Sequence, residues 1–242
     1  MRNVALIVRR ELASYVRTPS GWIIAAITLL FEAVIFNAYA IGTEAALSTD
    51  VLLRFLEVAG GTTVFMTVIF SMRLLAEDRY TGTHVLLFTS PVREGEIVLA
   101  KYLAALVVVS AVVLLSLYLP ALIFVNGKVS YGHIAAGYFG MILLAAATLS
   151  IGMFASSLTS HPFLAVFVAG GIALLLEACW WVARIADVPF MSEVLGWMAP
   201  YYKHYQPFRR GIVQLSDIVF FASVIYVSLL ASTRMLKTQR WQ

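Results

Sequence analysis

Few side chains in this sequence could do chemistry, and the most telling are two carboxylates where lipid would be expected. Glu32 and Glu177 lie inside long apolar runs. A charged side chain at such depth costs at least ~2.5 kcal/mol even on the lenient insertion scale, so each must meet protein or water. Glu177 also closes a row of small residues at i+4 spacing, Ala165, Ala169 and Ala173, which lets helices approach closely. Two roles fit these residues. They line a pathway or a subunit seam, or the carboxylates make interhelical hydrogen bonds, with Arg184 a further partner for Glu177.

No covalent or hydrolytic site accompanies them. The phosphate-cradling pattern G-x-x-x-x-G-K-[ST] is missing. The one Gly-Lys pair, Gly127-Lys128, follows Asn126 without the upstream glycine, so this chain is not expected to bind and hydrolyse ATP. His84, His133, His161 and His204 fall in different segments and match no metal spacing. The single cysteine, Cys179, rules out an internal disulfide and a cysteine-based zinc site. No cofactor is expected on this chain.

The elements that hold these residues follow from composition. Of 242 residues 61% are hydrophobic and 12% charged, half the charge of an ordinary soluble domain, so the solvent is lipid. Six apolar runs, near 21–41, 58–75, 98–125, 134–156, 163–186 and 217–236, are each long enough to cross a ~30 Å hydrocarbon core. The expectation is an all-α integral membrane protein with six transmembrane helices. Residues 1–19 form a cytoplasmic amphipathic segment and 20–242 the membrane domain. In the first segment Val4, Val8 and Leu12 recur at helical spacing opposite Arg2, Arg9, Arg10 and Arg17, as in a helix lying in the headgroup plane. The polar start and the length of the first apolar run argue against a cleaved signal peptide. With the N-terminus inside, eleven Lys and Arg fall on inner segments and six on outer ones, which puts both termini in the cytoplasm. The formal charge of +4 comes with no basic stripe, so nucleic acid is not an expected partner.

Two polar stretches interrupt the spans. The outer one, 187–216, is rich in aromatic residues and carries Pro189, Pro200 and Pro207. It reads either as short helices dipping into the outer leaflet or as a surface loop anchored by Trp and Tyr. The inner one is an elbow over 76–101, with a coupling loop over 76–97. Glu77-Asp78-Arg79 marks exit into water and Thr81-Gly82-Thr83 breaks the helix. Thr89-Ser90-Pro91 starts a new helix, followed by the acidic Glu94 and Glu96. The absence of internal repeats or matched broken helices argues against an inverted-repeat secondary transporter.

The string Glu77-Asp78-x-x-x-Gly82-Thr83-x-x-Leu86-Leu87-x-x-Ser90-Pro91-Val92, followed by Ile97-Val98-Leu99-Ala100-Lys101, resembles the signature of ABC-2-type transporter permeases. Arg10-Glu11-Leu12 through Thr18-Pro19 looks like their connecting helix. His204-Tyr205 through Arg210-Gly211-Ile212-Val213 and Asp217 to Trp241 is similar to the closing segment of the gliding-motility (Gld-type) branch. The resemblance implies the type-2 ABC exporter permease fold, working as a dimer of permease subunits in the bacterial inner membrane. It implies a cytoplasmic ABC ATPase dimer beneath, where ATP and Mg2+ bind. It also implies that the loop between spans 2 and 3 is a coupling helix seated on that ATPase. Glu77, Asp78, Gly82, Thr83, Leu86, Leu87, Ser90 and Pro91 would serve coupling, with Glu32 and Glu177 on the pathway. The gliding-type likeness raises a second role, transmission of force to an auxiliary envelope protein.

Overall fold

The computed structural model describes residues 2–40, 47–83, 93–126, 128–185 and 188–239. Its helices are α1 (Arg2–Arg17), α2 (Pro19–Ala40), α3 (Ser48–Phe70) and α4 (Ala76–Tyr80), with a 3-10 turn at Ser71–Arg73 between the last two. Then come α5 (Glu94–Leu115), α6 (Tyr118–Asn126), α7 (Tyr131–Leu158), α8 (Pro162–Ile185), α9 (Pro189–Trp197), a π-helical turn (Pro200–Tyr205), α10 (Gln206–Arg209) and α11 (Leu215–Gln239). Six of these segments are long and apolar enough to cross a membrane. Spans 1 to 6 are α2, α3–α4, α5–α6, α7, α8 and α11. The end of the bundle holding α1 and α4 is called the elbow end, and the opposite one the loop end.

Span 4 is the central post. About 78% of its apolar window is buried, against 11% for span 5 and 17% for span 6. Its small residues explain this position. Ala145, Ala146, Ala147 and Gly140 take up little room, so α3, α5, α8 and α11 all close around it.

Span 2 begins ten residues earlier than hydropathy suggested, at Ser48 rather than 58. Arg54 and Glu57 lowered the apolar average there, yet Glu57 is neutralised by Arg209, 2.9 Å away. Span 3 is interrupted at Ser116 and Leu117. Pro120 has no N–H to donate to the Ser116 carbonyl four residues back. The Ser116 hydroxyl also lies 3.0 Å from the Tyr138 hydroxyl of α7, which pins the break against the central post.

Within 188–216 the segment around 199–209 is not a surface loop, while most of 190–198 and all of 210–216 are exposed. Pro200, His204, Tyr205 and Phe208 are buried, so residues 200–209 plug the loop end of the bundle. The plug enters because the facing helices leave room for its rings. A Cβ on Gly60 of α3 would overlap the Tyr205 ring, and one on Gly140 of α7 would overlap Phe208. The Tyr205 hydroxyl then donates to the Leu56 carbonyl at 2.8 Å, and the Tyr201 hydroxyl to that of Glu57. Gly140→Ala should therefore destabilise the protein by about 1–3 kcal/mol, the usual cost of overpacking. Thermal unfolding in a fixed detergent checks this, with Gly171→Ala, at an open position, as the neutral control.

Candidate functional site

The elbow is built where α3 loses its helical hydrogen bonds. After the 3-10 turn the amides of Leu75 and Ala76 lack helical acceptors, and the Ser156 hydroxyl at the end of span 4 accepts both, at 3.0 and 2.8 Å. The short α4 can then start, and Arg79 reaches back to the Ser157 and Thr159 carbonyls at 2.9 and 3.2 Å. These oxygens are among the orphan carbonyls at the end of a helix. Helix α4 stops at Gly82, whose φ of 74° suits glycine. Thr83 turns its hydroxyl back to Asp78, 3.3 Å from both the carbonyl and the carboxylate.

Two cations knit this corner to the start of the chain. Arg73, 9% exposed, donates to Ser20 Oγ at 2.7 Å, Thr18 Oγ1 at 2.9 Å and Glu77 Oε2 at 3.2 Å. Its guanidinium also lies 5.0 Å over the Tyr15 ring, so the corner between α1 and α2 is tied to α4 through one side chain. Lys101 of α5 is 2% exposed and lies 2.9 Å from Asp78 and 3.2 Å from Glu11 of α1. The triad Glu11–Lys101–Asp78 therefore joins α1, α4 and α5. Asp78 and Arg79 are half-buried in this network, while the Glu77 side chain is held by Arg73 and still 42% exposed. Each has an opposite charge or an acceptor within reach.

Glu11 makes the triad sensitive to acid. Burial pushes its carboxyl up, but Lys101 and Arg10 together outweigh burial and leave it below the ordinary value of 4.5. A carboxyl lowered on folding stabilises the fold above the ordinary glutamate range, and that stability is lost as pH falls through the lowered value. Melting measured from neutral pH down through that range should show a decline that is smaller in Glu11→Gln. An identical acid decline in the variant would exclude Glu11 as a source.

A family model described as ABC-2 family transporter protein matches residues 5–218. The chain belongs to the ABC-2 transporter family. No curated protein matches it. It is a multi-pass membrane protein and the permease-type subunit of an ABC transporter, and the family implies association with an ABC ATPase. Of the residues expected from the sequence to serve coupling, this ABC-2 permease brings Glu77 and Asp78 into the elbow's ion network and sets Gly82 and Thr83 on an exposed turn beyond it. Leu86, Leu87, Ser90 and Pro91 lie outside the described residues. The partners of that network were not evident in the sequence. Glu11 was noted only within a family motif, Lys101 there, in the charge count and as the end of the elbow, Arg73 as a residue near the end of span 2, and Ser156 only as the end of span 4.

The two intramembrane carboxylates lie far from the elbow. Glu32, 5% exposed, accepts a hydrogen bond from the Thr62 hydroxyl of α3 at 2.8 Å. Thr62 also lines an apolar groove of ≈ 660 Å3 between spans 1 and 2, walled by Ile27, Phe31, Val58 and Phe65. Glu177 accepts from the Tyr201 amide at the start of the plug, at 2.8 Å, while Arg184 stays exposed and is not its partner. Both carboxylates leave their second oxygen unmatched among the described residues. Ala165 and Ala169 are buried and Ala173 half-buried. Ala169 packs in one cluster with Ala155 and Val68, and Ala173 lies against it, so this row joins span 5 to spans 2 and 4 inside the subunit.

One further constellation was absent from the sequence expectations. His204 of the plug is fully buried, with Nδ1 2.8 Å from Asp217 of α11 and Nε2 3.0 Å from the Trp197 carbonyl. Its ring stacks on Phe220, 3.7 Å between centroids. Both ring nitrogens lie against oxygens, one on Asp217 and one on the Trp197 carbonyl, so the ring is held from both sides. It fastens the plug to span 6.

Proposed function

We propose that this permease couples ATP hydrolysis by a separate cytoplasmic ABC ATPase dimer to export of a substrate, working beside a second permease subunit in a bacterial inner membrane. The elbow end faces the cytoplasm, and Mg2+ and ATP bind on the ATPase. The observation that carries the reading is the convergence on the elbow. A push at the exposed turn 80–83 meets α4, and Arg73, Lys101, Arg79 and Ser156 relay it to spans 1, 2, 3 and 4 together. A loop hanging free between spans 2 and 3 could not do this. The groove between spans 1 and 2, with Glu32 behind Thr62, is the part of the surface best placed to meet substrate. The half-satisfied Glu32 and Glu177 have hydrogen-bonding capacity left for water or a passing polar group.

The second reading is force transmission to an envelope partner without a solute. The buried plug favours it, because a solute path at the loop end would have to displace Tyr205 and Phe208. Co-purification with the ATPase, followed by ATPase assays in lipid, separates the two. Export predicts a substrate that changes the ATPase rate, and a rate unresponsive to every candidate substrate supports force transmission. A cysteine at Thr83 should crosslink to the ATPase. No crosslink there, with a crosslink from the loop end, would overturn the docking geometry for both readings.

A further inference from the structure

Spans 3 and 6 leave a groove of ≈ 420 Å3 between them at the elbow end. Val98 and Leu99 of α5 and Tyr226, Leu229 and Leu230 of α11 form its walls, with Thr233 and Arg234 at the mouth. Tyr226 is 69% and Leu99 42% exposed, so the groove opens outward from the bundle, where acyl chains lie. From Tyr226 to Arg234 the helix rises ~12 Å, most of the ~15 Å that one leaflet contributes to the hydrocarbon core.

The mouth is cationic. Arg234 is exposed and forms no ion pair among the described residues, and Lys237 follows one turn later, also exposed. The acidic residues at the start of α5 are engaged elsewhere. Glu96 caps the Arg93 amide at 3.2 Å, and Glu94 has a partner of its own. A guanidinium at the polar end of an apolar slot one leaflet deep matches a phosphate ester carrying acyl chains. A second copy matches it poorly, since a two-fold seam on this face would bring Arg234 and Lys237 against themselves.

We propose that this groove binds one anionic phospholipid, its phosphate on Arg234 with Lys237 beside it and an acyl chain between spans 3 and 6. The lipid fastens span 6, which otherwise packs mainly on span 4, to the helix that carries Lys101. This assignment does not depend on the direction of transport or on the identity of any substrate.

The test titrates the purified full chain in mild detergent with phosphatidylglycerol or phosphatidylcholine and counts bound lipid by native mass spectrometry. Phosphatidylglycerol should be retained about tenfold better than phosphatidylcholine. The double variant Arg234→Gln/Lys237→Gln should remove that preference, while Lys128→Gln at the loop end should keep it. Leu230→Trp, which fills the slot and leaves the charges, should also displace the lipid. Melting in lipid-free detergent confirms that each variant is folded, and a variant that does not fold is replaced by Arg234→Lys, which should keep part of the preference. Equal retention of the two lipids by the wild type overturns the proposal, as does full retention by the double variant. Quantitative disulfide crosslinking between copies through a cysteine at Leu230 would assign the groove to a second subunit instead.

Discussion

Lys101→Met should be among the most damaging single substitutions in this permease, lowering stability by about 3–5 kcal/mol, the usual result of removing one partner of a buried ion pair. The ammonium is 2% exposed and lies between Glu11 and Asp78, whose side chains are 13% and 21% exposed. Without it two carboxylates face each other across the junction of α1, α4 and α5. The triple variant Glu11→Gln/Asp78→Asn/Lys101→Met removes all three charges and should recover most of the loss, because a buried charge cluster replaced as a whole is often close to neutral. Thermal unfolding of the two variants in one detergent measures this directly. Coupling should not recover with stability. The triple variant keeps the packing but loses the ties between α4 and both α1 and α5, so hydrolysis by the proposed partner ATPase should no longer drive work. A single variant that melts like the wild type would show that the triad does not hold the elbow. A triple variant with full activity would show that the triad is structural only.

His204→Ala should cost a similar amount, about 3–5 kcal/mol, the usual result of truncating a large buried ring, at the opposite end of the molecule. It removes the partner of Asp217, which is 4% exposed, and leaves a cavity against Phe220. Asp217→Asn keeps an acceptor for Nδ1 and loses only the charge, so it should be milder. Hydrogen exchange distinguishes local from global effects. In His204→Ala the amides of 200–209 should exchange faster than those of α5, because the plug loses its fastening to span 6 while keeping Tyr205 and Phe208 in their glycine-lined recesses. Uniform acceleration throughout the bundle would instead mean that the pair supports the whole fold.

What the sequence could say followed from the physics of each element. The spans were legible because lipid demands long apolar helices, and composition alone distinguishes those from soluble ones. The start of span 2 was not, since Arg54 and Glu57 look like loop residues until Arg209, more than 150 positions later, is seen to neutralise Glu57. The elbow was legible as a polar interruption with a glycine stop at Gly82. Its burial was not, because a run such as Glu77-Asp78-Arg79 reads as solvated unless the partners are known. Those partners, Lys101, Glu11 and Ser157, come from three other helices. The plug stood between two readings, and the deciding features were Gly60 and Gly140 on helices that periodicity cannot orient. His204 and Asp217 sit thirteen residues apart across a turn, and the family likeness that includes both does not say that they meet.

Lys101 also constrains how the protein is made. It lies well inside α5, and the nearer in sequence of its two ion-pair partners, Asp78, sits in α4 before span 3, while Glu11 is synthesised ninety residues earlier. When span 3 first meets lipid its ammonium is neutralised only if α1 and α4 have already folded against it. Lateral release of this helix from the insertion machinery is therefore tied to the assembly of what precedes it. A chain whose N-terminal segment arrives late or truncated would stall with a bare cation at the bilayer edge, where quality-control proteases could recognise it.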